Sequence, residues 1–155
     1  MLFLKWELYK NMQSSDIDEI MKAEDVWRDK LQTYKKELDS VKNISYKTYT
    51  ELAIKNFHDY NILKLEYKLN GLILYLKHPE KVEKQKLFFK DVNNISVKRH
   101  ESISLYNSKY LGGWLVHEII IENGLTLFNL LLDTGIEINI MYLTDSFSIS
   151  VFIGV

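Results

Sequence analysis

The spacing of the apolar residues changes near residue 60, and this change limits the folds open to the chain. Before it, "SSDIDEIMKAEDVWRDKLQTYKKELDSV" repeats its apolar residues with the period of a helix, which predicts one long helix. "SYKTYTELAIKNF" predicts a second, shorter helix. After it, "ILKLEYKL" alternates apolar and polar residues, which indicates a strand with one solvated face. Helices followed by strands are the order of an α+β domain.

Turn signals divide the second half of the chain into about six or seven strands. Asn70-Gly71 and Asn123-Gly124 are dipeptides favoured in two-residue hairpins, and Asp133-Thr134-Gly135 predicts a third turn. "LFFKDVNNISVKR" is predicted as one strand, with a break near Asn93-Asn94 as the alternative. These signals predict a mostly antiparallel, strongly twisted sheet on which the long and the short helix pack.

The length of 155 residues fits a single α+β domain over 1–155, helical at 1–58 and built as a sheet at 59–155. Cysteine is absent, which excludes disulfides and thiolate chemistry. The opening "MLFLKWELYK" does not have the pattern of a signal peptide, and no apolar run approaches the ~18 residues of a membrane span. We therefore expect a cytoplasmic protein with no membrane partner.

Charge is unevenly distributed along the chain. Residues 59–100 carry nine Lys and Arg against five Asp and Glu, whereas residues 101–155 carry one against six. Basic strands paired with acidic strands would explain this, and so would an acidic face that binds a basic protein. The acids that would form such a face are Glu118, Glu122, Asp133, Glu137 and Asp145.

Aromatic residues interleaved with lysine can stack single-stranded nucleic acid. The isoelectric point near 6.4 and the acidic last third argue against a sustained basic groove, so no nucleic-acid partner is predicted.

His58-Asp59 lies where the helical pattern gives way to the sheet, and it is the first place to look for chemistry. Asp turns or caps the backbone readily, so the pair can simply organise this junction. A metal or acid–base site would need further ligands there, and Glu118 is the candidate. The sequence does not show that these residues meet. Cofactor motifs such as G-x-G-x-x-G and the P-loop are missing, so no cofactor is predicted.

Three fragments, "LFLKWELY", "FHDYNILKLE" and "WLVHEIIIENGLTLFNLLLDTGIEINI", together resemble a domain-of-unknown-function family of small Gram-positive bacterial proteins. A His-Asp step before the sheet and a W-L-x-x-E strand mark that family. The matching positions are Trp6, His58, Asp59, Trp114, Leu115 and Glu118, whereas Val116 and His117 depart from the family pattern. The resemblance implies a fold and a type of host, but no activity, catalytic residue or cofactor.

The sequence favours a binding protein over an enzyme. The first hypothesis is a small protein-binding module, for example of the immunity or inhibitor type, that covers a basic partner with its acidic strands. The alternative is a metal- or small-ligand-binding protein, or an enzyme, that uses His58, Asp59 and Glu118. A third hypothesis places a lipid or small ligand inside a strongly curved sheet.

Overall fold

The computed structural model describes residues 3–100 and 110–153. The helices are α1 (Trp6–Asn11), α2 (Ile17–Ile44) and α3 (Tyr46–Thr48), and α3 continues into a π-helical turn at Tyr49–Ala53. The strands are β1 (Asn61–Lys68), β2 (Gly71–Lys77), β3 (Lys84–Lys90), β4 (Val92–Arg99), β5 (Gly112–Glu122), β6 (Leu125–Leu132), β7 (Ile136–Leu143) and β8 (Phe147–Phe152). The predicted α+β fold with a long N-terminal helix and an antiparallel sheet is confirmed.

The sheet has eight described strands, in the order β4-β7-β6-β5-β1-β2-β3-β8, so the prediction of six or seven was wrong. The additional strand arises at Asp91, where a left-handed φ of 49° bends the predicted "LFFKDVNNISVKR" strand into β3 and β4. Asp accepts this conformation more readily than most residues, because its short polar side chain can hydrogen-bond locally. The break precedes Asn93, which instead lies in a bulge between Val92 and Asn94.

All three predicted turns are present, one of them displaced by a residue. Asp133-Thr134-Gly135 joins β6 to β7, with Gly135 at a φ of 72°. Asn123 and Gly124 form a two-residue loop with φ values of 52° and 77°, as the type I′ turn requires. In the hairpin of β1 and β2, Gly71 pairs with Lys68, so the loop residues are 69 and 70. Gly71 is needed in the strand itself, since a Cβ there would collide with the backbone carbonyl oxygen of Phe89, which cannot move aside as a side chain can.

The sheet curves round one core. On one side of the sheet, β3 leads into β4 and β7 leads into β8. Because β3 pairs with β8 and β4 pairs with β7, these strands form a single two-stranded ribbon, which bends at Asp91. On the other side, β1 pairs with β5 over only two residue pairs. The two halves of the sheet therefore face each other. Phe89 of β3 contacts Phe128 of β6 and Tyr142 of β7, with ring centroids 5.2 and 5.0 Å apart.

Helix α2 packs against β5, and only part of its apolar face is covered. Tyr34 and Val41 are buried, as the periodicity predicts. Ile17 and Met21 near its start are 72% and 60% exposed, because a helix of 28 residues, about 42 Å, extends beyond the sheet. Among the described residues, no helix is both long and apolar enough to cross a membrane.

Candidate functional site

A cleft of about 570 Å³ lies between α2 and the first half of β5, with α1 and residues 53–58 along its sides. We refer to it as the α2–β5 cleft. Its lining is mainly apolar and aromatic, and its polar residues are few. The apolar part includes Leu4, Trp27, Leu31, Tyr34, Leu38, Phe57, Trp114 and Leu115.

The cleft exists because β1 and β5 separate soon after they meet. Their pairing covers Asn61 with Gly113 and Ile62 with Gly112, after which none of the described strands lies beside β5 on that side. The backbone N–H of Ile119 therefore donates to the hydroxyl of Tyr34 on α2, at 2.7 Å. Burial raises the pKa of Tyr34, so this hydroxyl stays protonated and neutral. A helix thus takes the place of a strand at this edge.

The inner wall of the cleft is organised by His117. Trp114 Nε1 donates to His117 Nδ1 at 3.2 Å, so the imidazole proton must be on Nε2, which donates to the carbonyl of Leu52 at 2.9 Å. Burial lowers the pKa of His117 to about 4, against a smaller opposing effect of its backbone acceptors. Phe57 stacks on Trp114, with the ring centroids 4.5 Å apart. His117 is therefore a neutral wall residue with both nitrogens occupied, and not a free base at neutral pH.

Trp114 and His117 meet because of a bulge. Residues three apart on a regular strand point to opposite faces of the sheet. The pairing of β5 with β6 skips Leu115, which shifts the alternation by one residue and turns both rings to the same side. The sequence shows the two residues but carries no clear signal for the bulge.

Cationic residues stand at the cleft, and acids do not line it. Lys35 and Lys55 line it together with Asn56 and His58, and no Asp or Glu does so among the described residues. Burial lowers the pKa of Lys55, with Glu51 opposing that effect. The Lys55 ammonium lies 5.2 Å from the centroid of the Phe57 ring. The cleft thus combines an apolar interior with positive charge.

His58 and Asp59 form a local pair at the helix-to-sheet junction. His58 Nδ1 lies 2.8 Å from Asp59 Oδ1, and both side chains are more than half exposed. Asp59 has a φ of 73°, and the His58 backbone N–H donates to Asn56 Oδ1. These are the features of a turn, in which Asp tolerates the left-handed conformation.

Glu118 lies elsewhere, in the interior. Its Oε1 accepts hydrogen bonds from the backbone N–H groups of Phe3 and Leu4, at 2.9 and 2.6 Å, and the side chain is completely buried. Glu118 thereby fixes the start of the chain to β5. In the part of the chain that the structure describes, no group of three or more His, Asp and Glu residues is arranged to hold a metal ion.

The other acids of the predicted partner face are also mostly engaged. Glu137 is 8% exposed and lies 2.8 Å from His100 Nε2. Asp133 is exposed, but its Oδ1 accepts from the N–H of Gly113 at 2.8 Å.

Asp145 Oδ1 accepts from the hydroxyls of Ser45 and Thr48, which ties the end of α2 to the turn before β8. Of the five acids, Glu122 is the one that is exposed and makes no described hydrogen bond. The acidic third of the chain is therefore used largely to hold the fold together.

Comparison with known proteins adds nothing to this geometry. No protein family, curated protein or solved structure matches the chain. The family resemblance of the sequence stays a prediction. Of its residues, Trp6 packs against Gly135, Trp114 against Phe57, and Glu118 holds residues 3 and 4.

Proposed function

We propose that this protein is a non-catalytic binding protein that takes an apolar or amphipathic ligand in the α2–β5 cleft. The observation that carries the proposal is the cleft itself: its volume of about 570 Å³ lies within the ~300–1,000 Å³ of small-molecule sites. Its mainly apolar lining with a few polar groups is also typical of such sites. The sequence raised a small-ligand site as an alternative, at His58, Asp59 and Glu118; of these residues, His58 alone lines the cleft.

An enzymatic function has less support. A general base needs a free nitrogen or oxygen within reach of the substrate. Both nitrogens of His117 are occupied, His58 and Asp59 pair with each other, and Glu118 accepts from backbone N–H groups.

A protein-binding function through the acidic strands stays a prediction. Glu122 and Asp133 are the acids at which charge reversal tests it, because Glu118 and Glu137 are buried and the exposed Asp145 holds Ser45 and Thr48. Retention of a basic partner at low salt and its loss at moderate salt would favour that function.

Filling the cleft should abolish ligand binding. Leu31 lines it from α2, so Leu31→Trp places a bulky indole ring in the space that a ligand would occupy. We expect the affinity for the fluorescent apolar anion 1-anilinonaphthalene-8-sulfonate to fall about ten-fold or more, which corresponds to about 1.4 kcal/mol. Fluorescence titration of the folded protein measures this.

The matched control is Met21→Trp on the same helix. Met21 is 60% exposed and does not line the cleft, so the added ring should leave dye affinity unchanged. Urea unfolding of both variants checks that each is folded. Equal dye affinity in Leu31→Trp and the native protein would contradict the proposed site.

A further inference from the structure

The four strands β1, β2, β3 and β8 have one face in the core and one face outside. Cross-strand partners lie on the same side of a sheet. Lys64, Tyr75 and Lys86 are partners across β1, β2 and β3, and so lie side by side on the outer face. Leu74 and Leu87, one residue away on β2 and β3, are completely buried in the core.

This outer face is strongly basic, and we call it the basic face. Its acid is Glu66, which pairs with Lys64 at 3.3 Å and Lys68 at 2.5 Å. Its six lysines are Lys64, Lys68, Lys77, Lys84, Lys86 and Lys90. The last four of these make no ion pair with any residue that the structure describes. The face therefore holds about four positive charges that are not neutralised locally, in a protein with a net charge of −1.

Aromatic rings lie among these lysines. Phe88 lies against Gly71, and the Lys90 ammonium is 5.9 Å from its ring centroid. The Tyr75 hydroxyl donates to Glu66 at 2.5 Å, which fixes its ring in the face.

The Lys64 ammonium lies over the Tyr75 ring, 4.4 Å from its centroid. The ring of Phe152 on β8 is nearly perpendicular to that of Tyr75, with the two centroids 6.0 Å apart. The three aromatic residues Tyr75, Phe88 and Phe152 are partly exposed. The basic face thus offers flat rings with a cation beside them.

We infer that the basic face binds single-stranded nucleic acid. Lysines that follow the phosphate backbone, together with rings on which bases stack, are the two parts of a sequence-tolerant single-strand site. Lys84 and Lys86 project from one strand about 6.6 Å apart, with Tyr75 on the neighbouring strand beside Lys86.

Other anionic partners fit the face less well. A duplex is read by a helix or a two-stranded ribbon that enters its groove, which a four-stranded sheet face does not do. Insertion into a membrane would favour apolar side chains that project from the surface. Two rings of the basic face, Tyr75 and Phe88, instead have a lysine ammonium beside them.

The linear sequence conceals this face. Its lysines come from three strands, and acids elsewhere in the chain cancel their charge, so the isoelectric point does not reveal them. The basic excess of residues 59–100 contains all six lysines, but it does not show that they share one face. Helix α2 packs against β5, in the other half of the sheet, and leaves the basic face open. The inference is independent of the α2–β5 cleft.

Fluorescence anisotropy with a labelled oligothymidine of about 15 nucleotides tests the inference on the whole chain. We expect binding at about 50 mM salt. With about four phosphates neutralised and a slope of about −0.7 per phosphate, the affinity should fall about 50-fold between about 50 and 200 mM. An abasic oligomer of the same length should bind more weakly, because it offers phosphates without bases.

Two sets of variants locate the site. Lys84→Glu with Lys86→Glu should weaken binding about ten-fold or more, whereas Lys30→Glu with Lys36→Glu on the exposed side of α2 changes the net charge equally and should have little effect. Phe88→Leu and Tyr75→Leu should each weaken oligothymidine binding about five- to ten-fold, while leaving the abasic oligomer unaffected.

Several results would overturn the inference. The first is that oligothymidine does not bind at about 50 mM salt. The second is that the two charge-reversal pairs weaken its binding equally. The third is that the protein binds the normal and the abasic oligomer with equal affinity. Tight binding to vesicles of phosphatidylglycerol, unaffected by Phe88→Leu and Tyr75→Leu, would assign the face to an anionic membrane instead. Circular dichroism confirms that each variant is folded, and the two independent aromatic variants guard against a local loss of structure in one of them.

Discussion

Replacing Glu118 with leucine should lower the free energy of unfolding by about 3 kcal/mol. The carboxylate accepts from the N–H groups of Phe3 and Leu4 inside the protein, and leucine removes that acceptor. Each buried donor left without a partner costs about 1–3 kcal/mol. Residues 3 and 4 should also detach from β5, because Glu118 holds both of them. Urea denaturation measures the stability, and limited proteolysis at the start of the chain measures the detachment.

Glu122→Leu is the matched control for this prediction. Glu122 lies four residues further along β5, on the same side of the strand, but it is exposed. Its replacement should change the unfolding free energy by no more than about 0.5 kcal/mol. Glu118→Gln should be intermediate, since the amide keeps an acceptor oxygen. Equal stability of the two leucine variants would mean that Glu118 does not anchor the start of the chain.

The behaviour of Glu118 shows what a sequence reveals about an acid and what it does not. Its place on a strand was predictable from the apolar alternation of "WLVHEIII". Its burial was not, because that depends on residues 3 and 4, more than a hundred positions away, returning to cover it. The acidic excess of residues 101–155 therefore suggested a surface, although Glu118 and Glu137 are interior residues.

The helices and strands were predictable because their patterns are local. The period of α2 identified Tyr34 and Val41 as inward-facing, but it could not show that the sheet ends before Ile17 and Met21. Nor could it show the eighth strand, which depends on the backbone of one residue, Asp91.

The candidate site could not be predicted from the sequence, for a related reason. The α2–β5 cleft depends on a two-pair contact between β1 and β5 and on the bulge at Leu115. Neither has a strong signature in residue order. His58-Asp59 was visible as a dipeptide, and the structure places it at the junction as an exposed pair, with His58 at the cleft.

Acidification should destabilise the protein through His117. Burial lowers its pKa in the folded protein to about 4, below the ordinary value of 6.5. Between these values the unfolded chain is protonated at this site and the folded protein is not, so the free energy of unfolding falls as the pH falls. At about 1.36 kcal/mol per pKa unit, the loss from neutral pH to about pH 4 is up to about 3 kcal/mol. His117 as a whole residue is half-buried, which reduces this figure.

The variant His117→Gln isolates this contribution. A glutamine amide can accept from Trp114 and donate to Leu52 as the neutral imidazole does, but it does not titrate. We expect urea denaturation to show a smaller loss of stability between about pH 7 and pH 4 in the variant than in the native protein. Carboxylates that titrate near pH 4 contribute alike to both proteins, so the difference between the two curves belongs to His117. Parallel curves would mean that the ring takes up a proton in the folded state, and the assignment of a neutral imidazole held by Trp114 and Leu52 would be wrong.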